Sequence, residues 1–188
     1  MNSWMIHFFN WLLSPIPFAR IMKFKVWFLR KAGVVIGENV DIQPNMRIVG
    51  VGQLVIGDNT SIRHGVIFEC GTRIKIGNNC ELNYGTLLSA NCGAELFIEN
   101  DVHIAHYVSI KCSTHKIDLT GVSVAGESEF KNIHIGEGSW LCAGSIILPG
   151  VNIGKRNVVA AGAVVVSDTE DDVLMAGVPA QKKKKYRD

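Results

Sequence analysis

The chain has little net charge of either sign. Its 188 residues sum to a formal +2, which excludes a broad electrostatic partner such as nucleic acid. It also lacks paired cysteine motifs. Cys70, Cys80, Cys92, Cys112 and Cys142 show no C-x-x-C spacing. An odd count in a chain of this length argues against a disulfide framework, and no zinc pattern accompanies it, so no metal is expected. A long apolar run is missing as well. Met1 to Leu13 is apolar, but Asn2, His7 and Asn10 interrupt it and Pro15 and Pro17 stop it, so it is too short to span a bilayer. No basic residue precedes that stretch and no small-residue cleavage site follows it, which excludes a signal peptide. The expected location is the cytoplasm.

The charge that is present collects at the two ends. Arg20, Lys23, Lys25, Arg30 and Lys31 crowd the first, and Lys182 to Lys185 with Arg187 crowd the second. Such ends suit an anionic ligand or a membrane surface, or are simply solvated. From Phe18 to Lys31 apolar residues recur at Phe18, Ile21, Met22, Val26 and Leu29 with basic residues between them. That spacing predicts an amphipathic helix. Residues 1–33 therefore read as a helical segment with two roles open to it. One is a cap on the main domain; the other is a peripheral contact at the inner membrane face.

From residue 34 onward a six-residue period governs the chain. Examples are Ile56-Gly-Asp-Asn-Thr-Ser, Ile76-Gly-Asn-Asn-Cys-Glu, Ile135-Gly-Glu-Gly-Ser-Trp and Ile153-Gly-Lys-Arg-Asn-Val. Each unit opens on an aliphatic residue and carries a small or aliphatic residue four places later. Two inward positions in six residues mean a short strand and a tight turn, with Gly, Asn and Asp tolerating the turn's backbone angles. Three units close a triangular coil of about eighteen residues, and stacked coils share one continuous core. Ile135 to Ile153 is one such coil. The steps Ile56 to Ile76 and Ile76 to Ile98 are longer, which predicts turns that bulge outward. The period stops after Ile110 and resumes at Ile133 or Ile135. The polar stretch between, about 113–132, reads as one extruded loop lining a binding face. His115 stands at its root. His64, Tyr84 and His106 occupy the same place in successive units and should stack as one column on a turn. His103 and His134 should face outward from strands.

These units resemble the hexapeptide-repeat acyltransferase superfamily over about residues 34 to 181. The resemblance implies an all-β solenoid, a left-handed parallel β-helix, an exception to the usual right-handed crossover. The expected organisation is the helical segment 1–33, a β-helix domain 34–172 and a basic C-terminal tail 173–188. Thr114-His115-Lys116-Ile117-Asp118 resembles the loop-root sequence of the maltose/galactoside and polysaccharide O-acetyltransferase branch, and Asn83-Tyr84 resembles its Asn-aromatic acceptor pair. The Asp that follows that pair in the branch has no counterpart here; Ala90 lies near its place. Ile135 to Trp140, Pro149 to Gly154 and Gly177-Val-Pro-Ala180 resemble its closing coils and C-terminal signature.

The resemblance implies acetyl-CoA as co-substrate, a hydroxyl of a sugar or glycan precursor as acceptor, and a homotrimer with acetyl-CoA between subunits. His115 would be the general base, which suits a group that titrates near neutrality, with no acyl-enzyme required. Asn83, Tyr84, Trp140 and His106 would bind substrate. Ala143, Ala161 and Ser167 would line the pantetheine arm, and Lys182 and Lys183 would meet the CoA phosphates. A zinc hydratase on the same fold needs three His ligands, and His103-x-x-His106 has the wrong spacing for two of them. A scaffold without catalysis leaves the loop His and the C-terminal signature unexplained. Transfer to an amine, as on a nucleotide-linked amino sugar, stays open.

Overall fold

A computed structural model describes residues 1–16, 22–120 and 124–187. Short parallel strands form three sheets that are the faces of a triangular prism. The first face runs from Val35–Ile36 through Gln53–Ile56, Arg73–Ile76, Glu95–Ile98 and Ile133–Ile135 to Asn152–Ile153. The second begins at Asp41–Ile42 and passes Glu81–Leu82, His103–Ile104 and Trp140–Leu141 to Val158–Val159. The third begins at Arg47–Val49 and ends at Val164–Val165.

The aliphatic openers of the repeat sit in register and build the core. Ile36, Ile56, Ile76, Ile98, Ile135 and Ile153 pair down the first face. Ile48, Phe68, Leu88, Ile110, Ile147 and Val165 do so down the third. All are buried. The corner between the first and second faces shows why Asn and Asp recur at the turns. Asn39, Asn59, Asn79 and Asp101 adopt φ of 54° to 58°, a left-handed conformation that Asn and Asp tolerate. Their side chains hydrogen-bond from coil to coil at 3.2, 3.2 and 3.0 Å.

The extra residues of the longer coils lie around the corner between the third and first faces. Part of the added length becomes strand rather than outward bulge: Ile67–Cys70, Arg73–Ile76, Leu87–Ala90 and Glu95–Ile98 each have four residues. The interruption of the repeat leaves from this same corner. It is an antiparallel hairpin, Ser113–Ile117 against Ala125–Phe130, anchored where the Lys131 N–H donates to the Cys112 carbonyl at 2.9 Å.

The start of the chain closes the first coil. Helix α1 (Ser3–Phe8) runs into a π-helical turn (Phe9–Leu13), and helix α2 (Met22–Lys31) follows; the expected helix residues Phe18 to Ile21 lie outside the described ones. Ile6, Phe9, Leu13, Phe28 and Leu29 are buried on the core. Polar groups of the segment satisfy the open strand edge. The Asn10 side chain bonds both the N–H and the carbonyl of Ile48. The Ser14 carbonyl accepts from the Asn45 N–H, and its hydroxyl donates to the Met46 carbonyl. Arg30 donates to the carbonyls of Ile36 and Gly37 at 3.0 and 2.7 Å. Burial lowers the pKa of the Lys25 ammonium, which donates to the Ile16 carbonyl at 2.6 Å.

The other end is closed in a similar way. Residues 173–185, read from the sequence as a tail, form an antiparallel hairpin of Val173–Gly177 with Ala180–Lys185. Its first strand pairs with Val158–Val159, so the second face continues past residue 172. Buried Asn157 ties it down: its amide donates to the Glu170 carbonyl and its oxygen accepts from the Val173 N–H.

Candidate active site

His115 lies in the first strand of the extruded hairpin and is exposed. The pairing slips between His115 and Ile117, where the return strand carries an extra residue. Such a bulge re-aims the groups beside it. Here it turns the Gly126 carbonyl to within 3.0 Å of His115 Nδ1. A carbonyl oxygen only accepts, so Nδ1 carries the proton and the lone pair of the neutral ring is on Nε2. A backbone carbonyl thus holds the ring in place. Gly126 has little room for a side chain: a Cβ there would come within 2.9 Å of Asp118 Cβ. Asp118 Oδ1 accepts from the N–H and hydroxyl of Thr120.

The expected column is present at the corner between the second and third faces. His64 and Tyr84 rings lie 6.1 Å apart, and Tyr84 and His106 stack at 5.2 Å with 8° between planes. The turn N–H groups continue this corner upward. Gly144 donates to the His106 carbonyl, and Gly162 to that of Ala143, both at 2.9 Å. Ala143 and Ala161 therefore extend the column, exposed and small. The neighbouring Asn83 donates from its side chain to the Ile104 carbonyl at 3.2 Å. Trp140 stands on the second face in register with His103 and Val158, half exposed.

Ser167 lies beyond the third-face strand Val164–Val165, on the hairpin side of that face. Within one chain the expected residues are thus divided. His115 and Ser167 belong to the corner between the third and first faces, and Asn83, Tyr84, His106, Ala143 and Ala161 to the corner between the second and third. Lys182 and Lys183 stand on the return strand of the C-terminal hairpin. Lys182 pairs with Glu170 at 2.8 Å, and that hydrogen bond holds the Glu170 carboxyl below its ordinary pKa.

Sequence reasoning missed Tyr107. It occupies the place that Gly65, Gly85, Gly144 and Gly162 take in other coils, at φ 58°. A bulky residue in this conformation is strained. Its ring lies over Gly85, where a Cβ would come within 2.6 Å of it. The signal was a glycine position filled by an exposed aromatic beside His106.

The buried thiols are poor nucleophiles. Burial pushes Cys70, Cys80 and Cys112 up to about 11, which keeps them protonated at neutral pH. Among the described residues no group of three or more His, Cys, Asp or Glu is placed to hold a metal ion. His103 and His134 face outward, paired with Glu81 at 3.5 Å and Glu99 at 3.1 Å. A cavity of about 480 Å³ on the first face, lined by Phe97, His134 and Lys155 among others, contains none of the expected site residues.

The repeat profile of bacterial transferases (hexapeptide, six repeats) matches residues 132–167. A hexapeptide-repeat containing acetyltransferase of Vibrio cholerae, solved with acetyl coenzyme A, is 30% identical, with 70% of each chain covered and a TM-score of 0.64. The chain belongs to the hexapeptide-repeat acyltransferase superfamily. Its solenoid is accordingly the left-handed parallel β-helix of that superfamily. A galactoside O-acetyltransferase of Lactococcus lactis is 37% identical over 94 residues, 50% of this chain and 45% of that protein. The match thus spans somewhat less than half the length of that relative. An N-acyltransferase from Bacillus cereus, solved with dTDP and coenzyme A, has a TM-score of 0.74 over 85% of this chain and 88% of its own at 23% identity. At that identity the likeness is one of fold.

Proposed function

We propose that the protein is an O-acetyltransferase that moves acetyl from acetyl-CoA to a hydroxyl of a sugar or glycan precursor, in surface-polysaccharide biosynthesis. The observation that carries this reading is the His115 imidazole, fixed through Nδ1 by the Gly126 carbonyl, which leaves the lone pair of the neutral ring on Nε2. Nε2 takes the proton of the acceptor hydroxyl as its oxygen attacks the thioester carbon. The tetrahedral intermediate collapses, the C–S bond breaks, and the imidazolium returns the proton to the departing CoA thiolate. A turn N–H is the natural donor to the oxyanion. The matched half shared with a galactoside O-acetyltransferase supports a hydroxyl acceptor. The second reading is transfer to an amine, the fold being shared with an N-acyltransferase solved with dTDP and coenzyme A. Acetyl-CoA turnover against sugars, amino-sugar nucleotides and lipid-linked glycans decides between them. A preference for amines would overturn the first.

The working unit is a homotrimer. Between the two corners that divide the site lies the third face, whose outward positions include Ile67, Leu87, Ile146 and Val164 in register. Ile146, Leu148 and Val166 remain over a third exposed, as do Ile117, Leu119 and Val124 around the hairpin tip. Packing third faces around a three-fold axis covers this apolar surface and sets the hairpin corner of one subunit beside the column corner of the next. His115 of one chain then meets Tyr84, His106, Ala143 and Ala161 of its neighbour. Sedimentation of the wild type is expected to show trimers, and Ile146→Glu is expected to give folded monomers without turnover. An active monomer would refute the shared site.

Lys182 and Lys183 would meet the CoA phosphates once Lys182 leaves Glu170. The double alanine variant is expected to weaken acetyl-CoA binding at low salt and leave the acceptor constant alone. The defect should shrink as ionic strength rises, because exposed charge pairs are screened. Equal binding by wild type and variant at low salt would mean that these lysines are only solvated.

A further inference from the structure

The outer side of the N-terminal cap carries groups that neither the solenoid nor acetyl transfer uses. Trp4 on helix α1 and Trp11 and Leu12 on the π-helical turn that follows it are exposed. Trp4 is 70% and Trp11 75% exposed. Helix α2 continues the surface with Phe24 and Trp27, each about half exposed. The rings form one connected series: Trp4–Phe8 at 5.8 Å, Phe8–Phe28 at 5.6 Å, Phe28–Phe24 at 6.3 Å and Phe24–Trp27 at 5.5 Å. Lys23 and Lys31 are exposed one helical turn to either side of Trp27. Residues 1–33 contain no Asp or Glu.

We propose that this surface docks the protein on an anionic lipid bilayer. The cap would lie in the plane of the membrane, with its indole rings at the headgroup boundary and Lys23 and Lys31 on lipid phosphates. Two observations select lipid over a protein partner. The charge within the segment is of one sign, and the bordering acids Glu38 and Asp41 are paired with Arg30 and Arg63, which suits an anionic surface. The exposed apolar groups are mostly tryptophans and phenylalanines on short helices, and tryptophan favours the water–hydrocarbon boundary. No helix among the described residues is long and apolar enough to cross a membrane, so contact is by lying on the surface. This docking does not depend on the acetyl-transfer reading. In a three-fold assembly the three caps face the same side, so a weak contact is multiplied.

Flotation of the full chain with vesicles tests it. Vesicles of phosphatidylglycerol and phosphatidylethanolamine are compared with phosphatidylcholine alone, at low and high salt. The protein is expected to float with the anionic vesicles and to be released as salt rises. The variant Trp4→Ser, Trp11→Ser, Trp27→Ser is expected to lower partitioning by about tenfold or more. Lys23→Gln with Lys31→Gln is expected to lower it about tenfold, and on anionic vesicles only. These side chains are exposed, so both variants should keep the wild-type melting temperature and their turnover of soluble acceptors. A protein without acetyl transfer that still floats leaves the docking intact. Absence of flotation at low salt, or equal flotation by wild type and the tryptophan variant, overturns it. Self-association that the tryptophan variant abolishes, without any vesicle binding, would instead assign the surface to a second copy of this chain.

Discussion

Replacing His115 with alanine is expected to lower turnover by about two to four orders of magnitude, the usual range for loss of a general base. Acetyl-CoA affinity should barely change, because the imidazole acts on the acceptor and not on the nucleotide. The hairpin geometry sharpens the expectation. Nδ1 is committed to the Gly126 carbonyl at 3.0 Å, so only Nε2 remains to take a proton. His106→Ala is the control: its ring stacks on Tyr84 at the other corner, and its loss should act mainly on the acceptor constant. If the His115 variant turns over within a few-fold of wild type, another residue is the base.

The solenoid was legible because its signal is periodic. Each aliphatic opener that the sequence marked became a rung of a buried ladder, and Asn39, Asn59, Asn79 and Asp101 became turns in the left-handed region. A period tolerates local error, since a misread unit is corrected by those before and after it. The column of His64, Tyr84 and His106 was readable for the same reason. What broke the period was harder to place. Within the extruded stretch Ser113–Ile117 and Ala125–Phe130 pair as an antiparallel hairpin with a bulge, and such pairing has no six-residue signature. The basic end was likewise read as a tail, because four lysines give no alternating pattern, although Ala180–Lys185 pairs along its length.

The candidate site residues could be named one by one from the sequence, but their arrangement could not. Sequence spacing locates His115 at a break and Tyr84 on a turn. It does not say that these turns occupy different corners of the prism, because corner identity depends on how the longer coils distribute their extra residues. The orienting partner of His115 was hidden for another reason. It is a backbone carbonyl, and a main-chain oxygen has no side-chain identity for a sequence pattern to show.

Deleting residues 1–31 is expected to make the protein aggregate. The segment buries Ile6, Phe9, Leu13, Phe28 and Leu29 on the core. Five such side chains at about 1.5–3 kcal/mol each are comparable with the entire stability of an ordinary domain, about 5–15 kcal/mol. The deletion also uncovers Ile36, Ile42 and Ile48 together with the open strand edges of the first coil, and such edges pair with other chains. The polar part of this role can be isolated. Asn10→Ala keeps the helices but removes the partners of the Ile48 N–H and carbonyl. An unsatisfied buried backbone group costs about 1–3 kcal/mol, so this variant should melt several degrees lower and remain soluble. Light scattering and thermal melts check both expectations. A truncated chain that stays monodisperse and melts with the wild type would mean that the first coil needs no cap. The exposed tryptophans on the outer side would then be the segment's main reason to exist.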